Sequence, residues 1–198
     1  MKITTIIKAS ILSLILAAGS ATAFAQEDDD DGSLVLSFAG IASERANESS
    51  YDYGLGALIE ANVNDHFGIE TGALFIKRES ELFNSGGAEL TQTVSRLHIP
   101  VLARFWVADY FSVAAGPFVE FKTGDVKTSG SIGGVGGSVE TSADDSTQFG
   151  LDAAATLNFA VADKTGIFVE ARYSMFFDEE DDEEFNKMFY LAGVKLDL

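Results

Sequence analysis

Apolar residues alternate with small or charged residues along eight segments of the chain. In residues 97–105 the odd positions are all apolar, while the even positions include His98 and Arg104. A period of two is typical of a β-strand with one face toward an apolar environment and the other toward a polar one. The eight segments are residues 34–39, 53–63, 67–75, 97–105, 111–121, 149–161, 167–177 and 188–198.

Long and short connections alternate strictly between these segments. The long connections are residues 42–52, 78–93, 123–147 and 178–187, and the short ones are 64–66, 108–110 and 163–165. Single-chain outer-membrane barrels place long loops outside and short turns on the periplasmic side, together with both termini. A tilted strand of about ten residues crosses their apolar band. We therefore predict an all-β fold, an eight-stranded antiparallel transmembrane up-and-down β-barrel.

The composition of the two faces indicates which one contacts lipid. The polar faces are crowded with small residues such as Gly72, Gly116 and Ala154. An eight-stranded barrel has an interior just wide enough for side chains to fill, which favours small residues inside. Aromatic residues collect near the ends of the apolar faces, as in interfacial girdles. We expect the apolar faces to contact lipid, whereas a soluble lipocalin-like barrel would enclose them.

The first 25 residues have the features of an export signal. Lys2 and Lys8 precede an apolar run from Ile11 to Ala18, and Ala23-Phe24-Ala25 is typical of a cleavage site. The stretch is shorter than the roughly 20 residues of a membrane-spanning helix, so an uncleaved anchor is the weaker alternative. We predict a cleaved signal peptide at residues 1–25, an acidic periplasmic segment at 26–32 and an outer-membrane barrel domain at 33–198. The chain has no cysteine, which excludes disulfides and thiolate metal sites.

Charge is distributed unevenly between the predicted lumen and the rest of the chain. The net charge of −18 becomes −20 once a leader carrying Lys2 and Lys8 is removed, yet five acids oppose five bases at the inward positions. Paired charges in a narrow lumen can neutralise one another, whereas an unpaired buried charge is prohibitively costly. We interpret these residues as a structural ion network that plugs the lumen, with a polar conduction path as the alternative. The ten residues are Glu60, Glu70, Arg96, Arg104, Glu120, Lys122, Asp152, Glu170, Arg172 and Lys195.

Two of the long connections contain patterns that resemble binding sites. Residues 178–184 are seven consecutive acids, which suggests either a divalent-cation site or a solvated, mobile tip. We favour the tip, because no EF-hand spacing or turn glycine organises these carboxylates. Residues 129–138 are glycine-rich but lack the lysine of a phosphate-binding loop, so we expect a flexible loop or a hairpin extension of the flanking strands. The acidic exterior argues against a nucleic-acid partner.

The two histidines give little support to catalysis. His66 lies in a predicted periplasmic turn, and His98 is predicted to point inward beside Arg96. A triad can be drawn from His98, Glu120 and Ser112, but a histidine hydrogen-bonded within a charged plug is the simpler interpretation. We expect no enzymatic activity, no catalytic or metal-binding residue and no cofactor.

Two neighbouring strands resemble a known family. Residues 97–104 read Leu-His-Ile-Pro-Val-Leu-Ala-Arg, and residues 111–118 read Phe-Ser-Val-Ala-Ala-Gly-Pro-Phe. They are similar to the Ile-Pro-x-Leu-x-Lys/Arg strand, and to the aromatic-rich strand ending in Ala-Gly-Pro-aromatic, of the PorT-like outer-membrane β-barrel family. The resemblance implies an eight-stranded barrel whose relatives include proteins tied to secretion and gliding machineries, and it implies no catalytic residue. The chain departs from many outer-membrane barrels by ending in Leu198 rather than in an aromatic residue.

These features predict a monomeric or weakly associating, non-enzymatic outer-membrane barrel that acts as a structural or interaction component of the cell envelope. Its expected partners are outer-membrane lipid, lipopolysaccharide and an envelope protein bound by the outer loops. The first alternative is a narrow transporter for small or apolar solutes. Pro100 and Pro117, the only prolines, favour it, because proline on a strand predicts bulges or broken pairing. The second alternative is a soluble periplasmic binding barrel.

Overall fold

The computed structural model describes residues 33–44, 51–85, 88–132, 135–141, 147–177 and 186–198. The predicted signal peptide, the acidic segment at 26–32 and the seven-acid run at 178–184 lie outside the described residues. The part of the chain that the structure describes contains no helix long and apolar enough to cross a membrane.

The described residues form nine β-strands, and eight of them close a barrel. In ring order the barrel is β1-β2-β3-β4-β5-β7-β8-β9, with β9 pairing back onto β1 and every pair antiparallel. The predicted eight-stranded antiparallel up-and-down barrel is therefore confirmed. The strands are β1 (Leu34–Glu44), β2 (Tyr51–Asn64), β3 (Phe67–Ser85), β4 (Ala88–Ala108), β5 (Phe111–Ile132), β6 (Val135–Thr141), β7 (Thr147–Ala162), β8 (Thr165–Phe176) and β9 (Asn186–Asp197).

The two ends of the barrel differ in how the strands are connected. At one end, which we call the turn end, two-residue turns Asp65-His66, Asp109-Tyr110 and Asp163-Lys164 join successive strands, as predicted. At the opposite end several strands run on past the barrel. The predicted loop at residues 78–93 is wrong, because β3 continues to Ser85 and β4 begins at Ala88. This hairpin escaped the sequence pattern because the outward positions Lys77 and Glu79, where it begins, are charged rather than apolar.

The glycine-rich segment forms a hairpin, which is one of the two alternatives expected from the sequence. Strand β5 runs on to Ile132, and β6 folds back against it from Val135 to Thr141, pairing Val126 with Thr141 at its far end. Together with the ends of β3 and β4 this makes a four-stranded extension beyond the barrel. We call it the outer sheet, comprising residues 78–85, 88–94, 123–132 and β6.

The apolar faces of the strands point out of the barrel and the polar faces point in. Leu55 is 72% exposed, while Glu60 on the same strand is 1% exposed. The outward face of β3 is free of charged residues from Phe67 to Phe75 and becomes charged at Lys77. The predicted orientation of the two faces is confirmed, because burying Glu60 and exposing Leu55 is favourable only where the outside of the barrel is apolar.

Part of the interior is an apolar core. Its members come from β1, β2, β3, β8 and β9, on one side of the barrel: Ala39, Ile41, Leu58, Leu74, Ile76, Phe168, Phe189 and Leu191. On the other side, the Phe118 ring lies where a Cβ on Gly150 would be, so glycine at this position allows the ring to pack against the wall. Small inward residues therefore leave room for the large side chains of the opposite strands.

Backbone pairing in the wall is interrupted around the two prolines. The β3–β4 pairing passes from Thr71–Val101 to Leu74–His98, and the β4–β5 pairing passes from Pro100–Phe118 to Ala103–Ala115. Both ladders therefore skip rungs beside the prolines, because Pro100 and Pro117 have no N–H to donate. The Thr71 hydroxyl donates to the carbonyl of Pro100 at 2.8 Å and replaces one of these bonds. The predicted local break in pairing is thus present on both sides of β4.

Candidate functional site: the charged barrel interior

The inward faces carry a balanced set of buried charges. Six acids and six bases are buried among the described residues, although the whole chain has a net charge of −18. Burial of so many charges is tolerable only where they pair with one another. The acids are Asp52, Glu60, Glu70, Glu120, Asp152 and Glu170, and the bases are Arg78, Arg96, Arg104, Arg172, Lys187 and Lys195.

Two arginines and two glutamates form a closed ring at mid-height, which we call the central cluster: Glu70, Arg104, Glu170 and Arg172. Arg104 Nη2 donates to Glu70 Oε2, and to Glu170 Oε2 at 2.9 Å. Arg172 Nη2 lies 2.8 Å from Glu70 Oε1 and 2.6 Å from Glu170 Oε1. Both arginines are fully buried, and each carboxylate therefore bridges both guanidinium groups.

The central cluster crosses the lumen from wall to wall. Glu70 is on β3 and Arg172 is on β8, and these strands are four positions apart in the eight-strand ring. They therefore face each other across the barrel. Hydroxyl groups complete the hydrogen bonding, since Arg104 Nη1 donates to Ser112 Oγ at 2.8 Å and to Thr156 Oγ1 at 2.6 Å.

A second group of charges, which we call the outer cluster, lies toward the outer sheet: Arg96, His98, Glu120, Asp152 and Lys187. Glu120 Oε1 accepts from Arg96 Nη1 at 2.8 Å and lies 3.5 Å from Lys187 Nζ. His98 is held between two carboxylates, with Nδ1 3.3 Å from Glu120 Oε2 and Nε2 2.9 Å from Asp152 Oδ2. Arg172 Nη1, 3.7 Å from Asp152 Oδ2, joins the outer cluster to the central one.

Aromatic rings pack around the outer cluster. The His98 ring stacks on Phe118 with centroids 4.3 Å apart, and Phe118 meets Phe176 edge-on at 4.9 Å. Lys187 Nζ lies 4.3 Å from the centre of the Phe176 ring and therefore contacts its π face. The charge of the same ammonium group is neutralised by Glu120. Charges and rings together fill this part of the lumen.

A third group, the turn-end cluster, consists of Glu60, Trp106 and Lys195. Glu60 Oε1 accepts from the indole Nε1 of Trp106 at 2.9 Å, and Glu60 Oε2 accepts from Lys195 Nζ at 3.3 Å. Arg104 Nε lies 3.5 Å from the same Oε2 and connects this group to the central cluster. The charges therefore form a continuous chain of contacts along the barrel axis.

The structure brings nine of the ten predicted interior residues into these clusters. The exception is Lys122, which is only half-buried and, within the described residues, forms no ion pair with the clusters. It lies on β5 beside the outer sheet, one residue before the sheet begins at Thr123. The interpretation of these residues as a plug stays a prediction, because it concerns function.

Sequence reasoning missed three buried charges. Arg78 Nε lies 3.4 Å from Asp52 Oδ2 at the outer end of the lumen, and Lys187 belongs to the outer cluster. All three were assigned to long connections. The inward parity of β2, β3 and β9 continues through these positions, so extending each strand by one to three residues would have found them.

The hydrogen bonds of His98 do not correspond to the triad considered from the sequence. Its partners are Glu120 and Asp152, whereas Ser112 accepts from Arg104. In the described part of the chain there is also no group of three or more histidine, cysteine, aspartate or glutamate residues arranged to hold a metal ion.

Comparisons with known proteins agree with this geometry. The family model described as outer membrane protein beta-barrel domain matches residues 11–197. A major outer membrane protein from Thermus thermophilus is 11% identical, with a TM-score of 0.50, covering 84% of this chain and 99% of that one. The likeness concerns the fold alone. No match was found among curated proteins.

Two further solved structures are similar at lower scores. OprG from Pseudomonas aeruginosa is 10% identical, with a TM-score of 0.49, covering 85% of this chain and 97% of that one. Ail, the attachment invasion locus protein of Yersinia pestis, is 13% identical, with a TM-score of 0.46, covering 84% of this chain and 97% of that one.

Proposed function

Because the chain belongs to the outer membrane protein β-barrel domain family, we propose that it is a non-enzymatic outer-membrane protein with a plugged lumen. Its barrel anchors the outer sheet at the cell surface, where the protein serves as a structural or interaction component of the envelope. The observation that carries this proposal is the wall-to-wall pairing of Glu70 with Arg172 in a lumen whose buried acids and bases balance six to six.

The paired charges favour an anchor over a channel. A solute that passes the central cluster must separate Arg104 and Arg172 from two carboxylates at once. Breaking a buried pair by removing one partner costs about 3–5 kcal/mol, and separating several pairs costs more. An eight-stranded barrel also leaves little room beside its own side chains.

The outer sheet is the part of the described chain best suited to recognition. It begins where the outward apolar face ends, at Lys77 on β3, and it projects the exposed Lys127 and Val139 away from lipid. We propose lipopolysaccharide and an envelope protein as its partners. The PorT-like resemblance supports an envelope-protein partner, since relatives of that family are tied to secretion and gliding machineries.

Conductance of the purified protein in planar lipid bilayers tests the plug. We expect the wild type to show no discrete steps. The double variant Glu70→Ser with Arg172→Ser removes both members of the pair that spans the lumen. The remaining Arg104 and Glu170 still neutralise each other, and we expect small conductance steps from this variant. Lys127→Ser on the outer sheet is the control and is expected to show no conductance steps. Steps of constant size from the wild type would contradict the plug.

Site-specific photo-crosslinking in intact cells tests recognition. A photoreactive residue at exposed position 139 is expected to give an adduct of defined mass with a lipopolysaccharide or protein partner. The same residue in place of lipid-facing Leu157 is the control and is expected to give phospholipid adducts only. If the two positions give the same adducts, the outer sheet recognises nothing and the barrel acts alone.

A narrow transporter is the second candidate, and the broken ladders favour it. Rungs are missing beside Pro100 and Pro117 on both sides of β4, so this part of the wall is held by fewer backbone bonds. If solutes leave the barrel there, liposomes carrying the wild type should swell in small solutes, and Pro117→Val should slow the swelling. Absence of swelling with the wild type would eliminate transport.

A further inference from the structure

A cavity of about 400 Å³ opens at the turn end of the barrel. Asp109 and Asp163 in two of the turns and Asp197 at the end of β9 contribute to its lining, as does Ser33 at the start of the described chain. In an outer-membrane barrel the end with short turns and both termini faces the periplasm. The cavity is therefore open to the periplasm and lies on the opposite side of the central cluster from the outer sheet.

Trp106 and Lys195 of the turn-end cluster line the inner part of the cavity. Both are fixed by Glu60, through the indole Nε1 at 2.9 Å and the ammonium Nζ at 3.3 Å. Lys195 Nζ also lies 5.2 Å from the centre of the Trp106 ring and 5.4 Å from that of Phe168. The charge of Lys195 is therefore already neutralised.

Two asparagines on the walls have unused hydrogen-bonding groups. Asn62 and Asn158 both line the cavity. Asn62 Nδ2 donates to Ser33 Oγ at 2.9 Å, but Asn62 Oδ1 has no partner among the described residues. The amide of Asn158 has none at either Nδ2 or Oδ1. Buried amide groups are rarely left unpaired, so an amide that turns toward the cavity would favour a ligand with matching groups.

The unpaired atoms define the chemistry of that ligand. They comprise two acceptors and one donor, and a hydroxyl group can satisfy both kinds because it donates and accepts. An anion is disfavoured by Asp109, Asp163 and Asp197 at the mouth. An organic cation would leave the donor of Asn158 unpaired. An apolar ligand would leave all three amide atoms unpaired.

We propose that this periplasmic cavity binds a small neutral sugar, of monosaccharide or disaccharide size. Its volume is within the range of small-molecule sites, about 300–1,000 Å³. The three amide atoms are shielded from solvent in the ligand-free barrel. Rotation about χ2, a soft torsion in asparagine, brings the Asn158 amide into contact with the sugar hydroxyls.

The chain provides its own reporter, because Trp106 is its single tryptophan. The full-length protein is reconstituted in phosphatidylcholine bicelles, which avoid detergents with sugar headgroups and add no tryptophan. Glucose, maltose, putrescine and inorganic phosphate are titrated while Trp106 emission is recorded, and calorimetry of the same titrations detects binding that leaves the emission unchanged. We expect saturable binding of glucose or maltose, and none of putrescine or phosphate.

Substitutions of Asn158 then identify the site. Asn158→Leu is expected to weaken sugar binding about tenfold or more, and Asn158→Asp, which keeps the acceptors and loses the donor, to weaken it less. Asn186→Leu at the opposite end of the barrel is the matched control, and slower gel migration after heating confirms that each variant is folded. The proposal is overturned if no sugar binds by either readout, if putrescine or phosphate binds instead, or if both Asn158 variants bind as the wild type does.

Discussion

The barrel interior and the outer sheet share the strands β3, β4 and β5, yet their side chains have opposite environments. Inside the barrel, β3 and β4 contribute Glu70 and Arg104, which are almost completely buried and paired. Beyond the barrel, the neighbouring strand β5 carries Lys127, which is exposed to solvent. A long strand can thus change from a densely packed wall to a free surface within a few residues.

This difference assigns separate tasks to the two regions. Substitution in the interior disturbs several charges at once, because each central-cluster carboxylate bridges two arginines. Substitution in the outer sheet changes one exposed side chain and leaves the rest in place. The interior is therefore expected to determine stability, and the outer sheet is free to vary and to recognise partners. Matched substitutions in the two regions test this division.

Removal of one central charge should have the largest effect. Arg104→Leu leaves Glu70 and Glu170 with only Arg172 to share, and leaves Glu60 without its contact to Arg104 Nε. We expect the free energy of unfolding to fall by about 3–5 kcal/mol, the cost of orphaning a buried charge. Urea unfolding in lipid vesicles, followed by Trp106 fluorescence, measures this change.

The matched control is Lys127→Leu in the outer sheet. Since Lys127 is exposed, we expect its free energy of unfolding to stay within about 0.5 kcal/mol of the wild type. Equal urea midpoints for the two variants would show that the interior charges contribute no more to stability than a surface lysine does.

A single methyl group should distinguish the two regions less strongly. Gly150→Ala places a Cβ against the Phe118 ring and the Met175 carbonyl, so the ring must move, and we expect a loss of about 1–3 kcal/mol. Gly137→Ala on β6 meets nothing within 4 Å. We expect it to change stability by less than about 0.5 kcal/mol. A neutral Gly150→Ala would mean that the interior around Phe118 is loosely packed.

The barrel was predictable because its environment imposes a two-residue period. Lipid requires an apolar outward face, so each strand from β2 to β9 that spans the band shows alternation, and even the turns at Asp109 and Asp163 could be located. The ends of β3 and β4 were not predictable in this way. The outward positions Lys77 and Glu79 are charged although Arg78 between them is buried, so hydrophobicity no longer marks which side is which.

The members of the interior clusters were easier to predict than their pairing. Inward parity is a local property, and it identified Glu70, Arg172 and His98. That Glu70 meets Arg172, or that His98 meets Asp152, depends on how far each strand is shifted along its neighbours around the whole ring. No local pattern records this shift, which is also why Asp152 was not recognised as a partner of His98.

Chemical labelling should separate the two regions without changing stability at all. A membrane-impermeant amine-reactive ester, added to intact cells, is expected to modify exposed Lys127 within minutes and to leave Lys187 unmodified, as quantified by mass spectrometry. Lys187 is 6% exposed and its ammonium group lies between Glu120 and the Phe176 ring, so the reagent has no access to its Nζ. Lys164 in a turn at the opposite end is exposed as well, and it should react only after the cells are broken, which checks the orientation of the barrel. Modification of Lys187 at the rate of Lys127 would mean that the outer cluster opens in the membrane, and would favour the transporter over the plug.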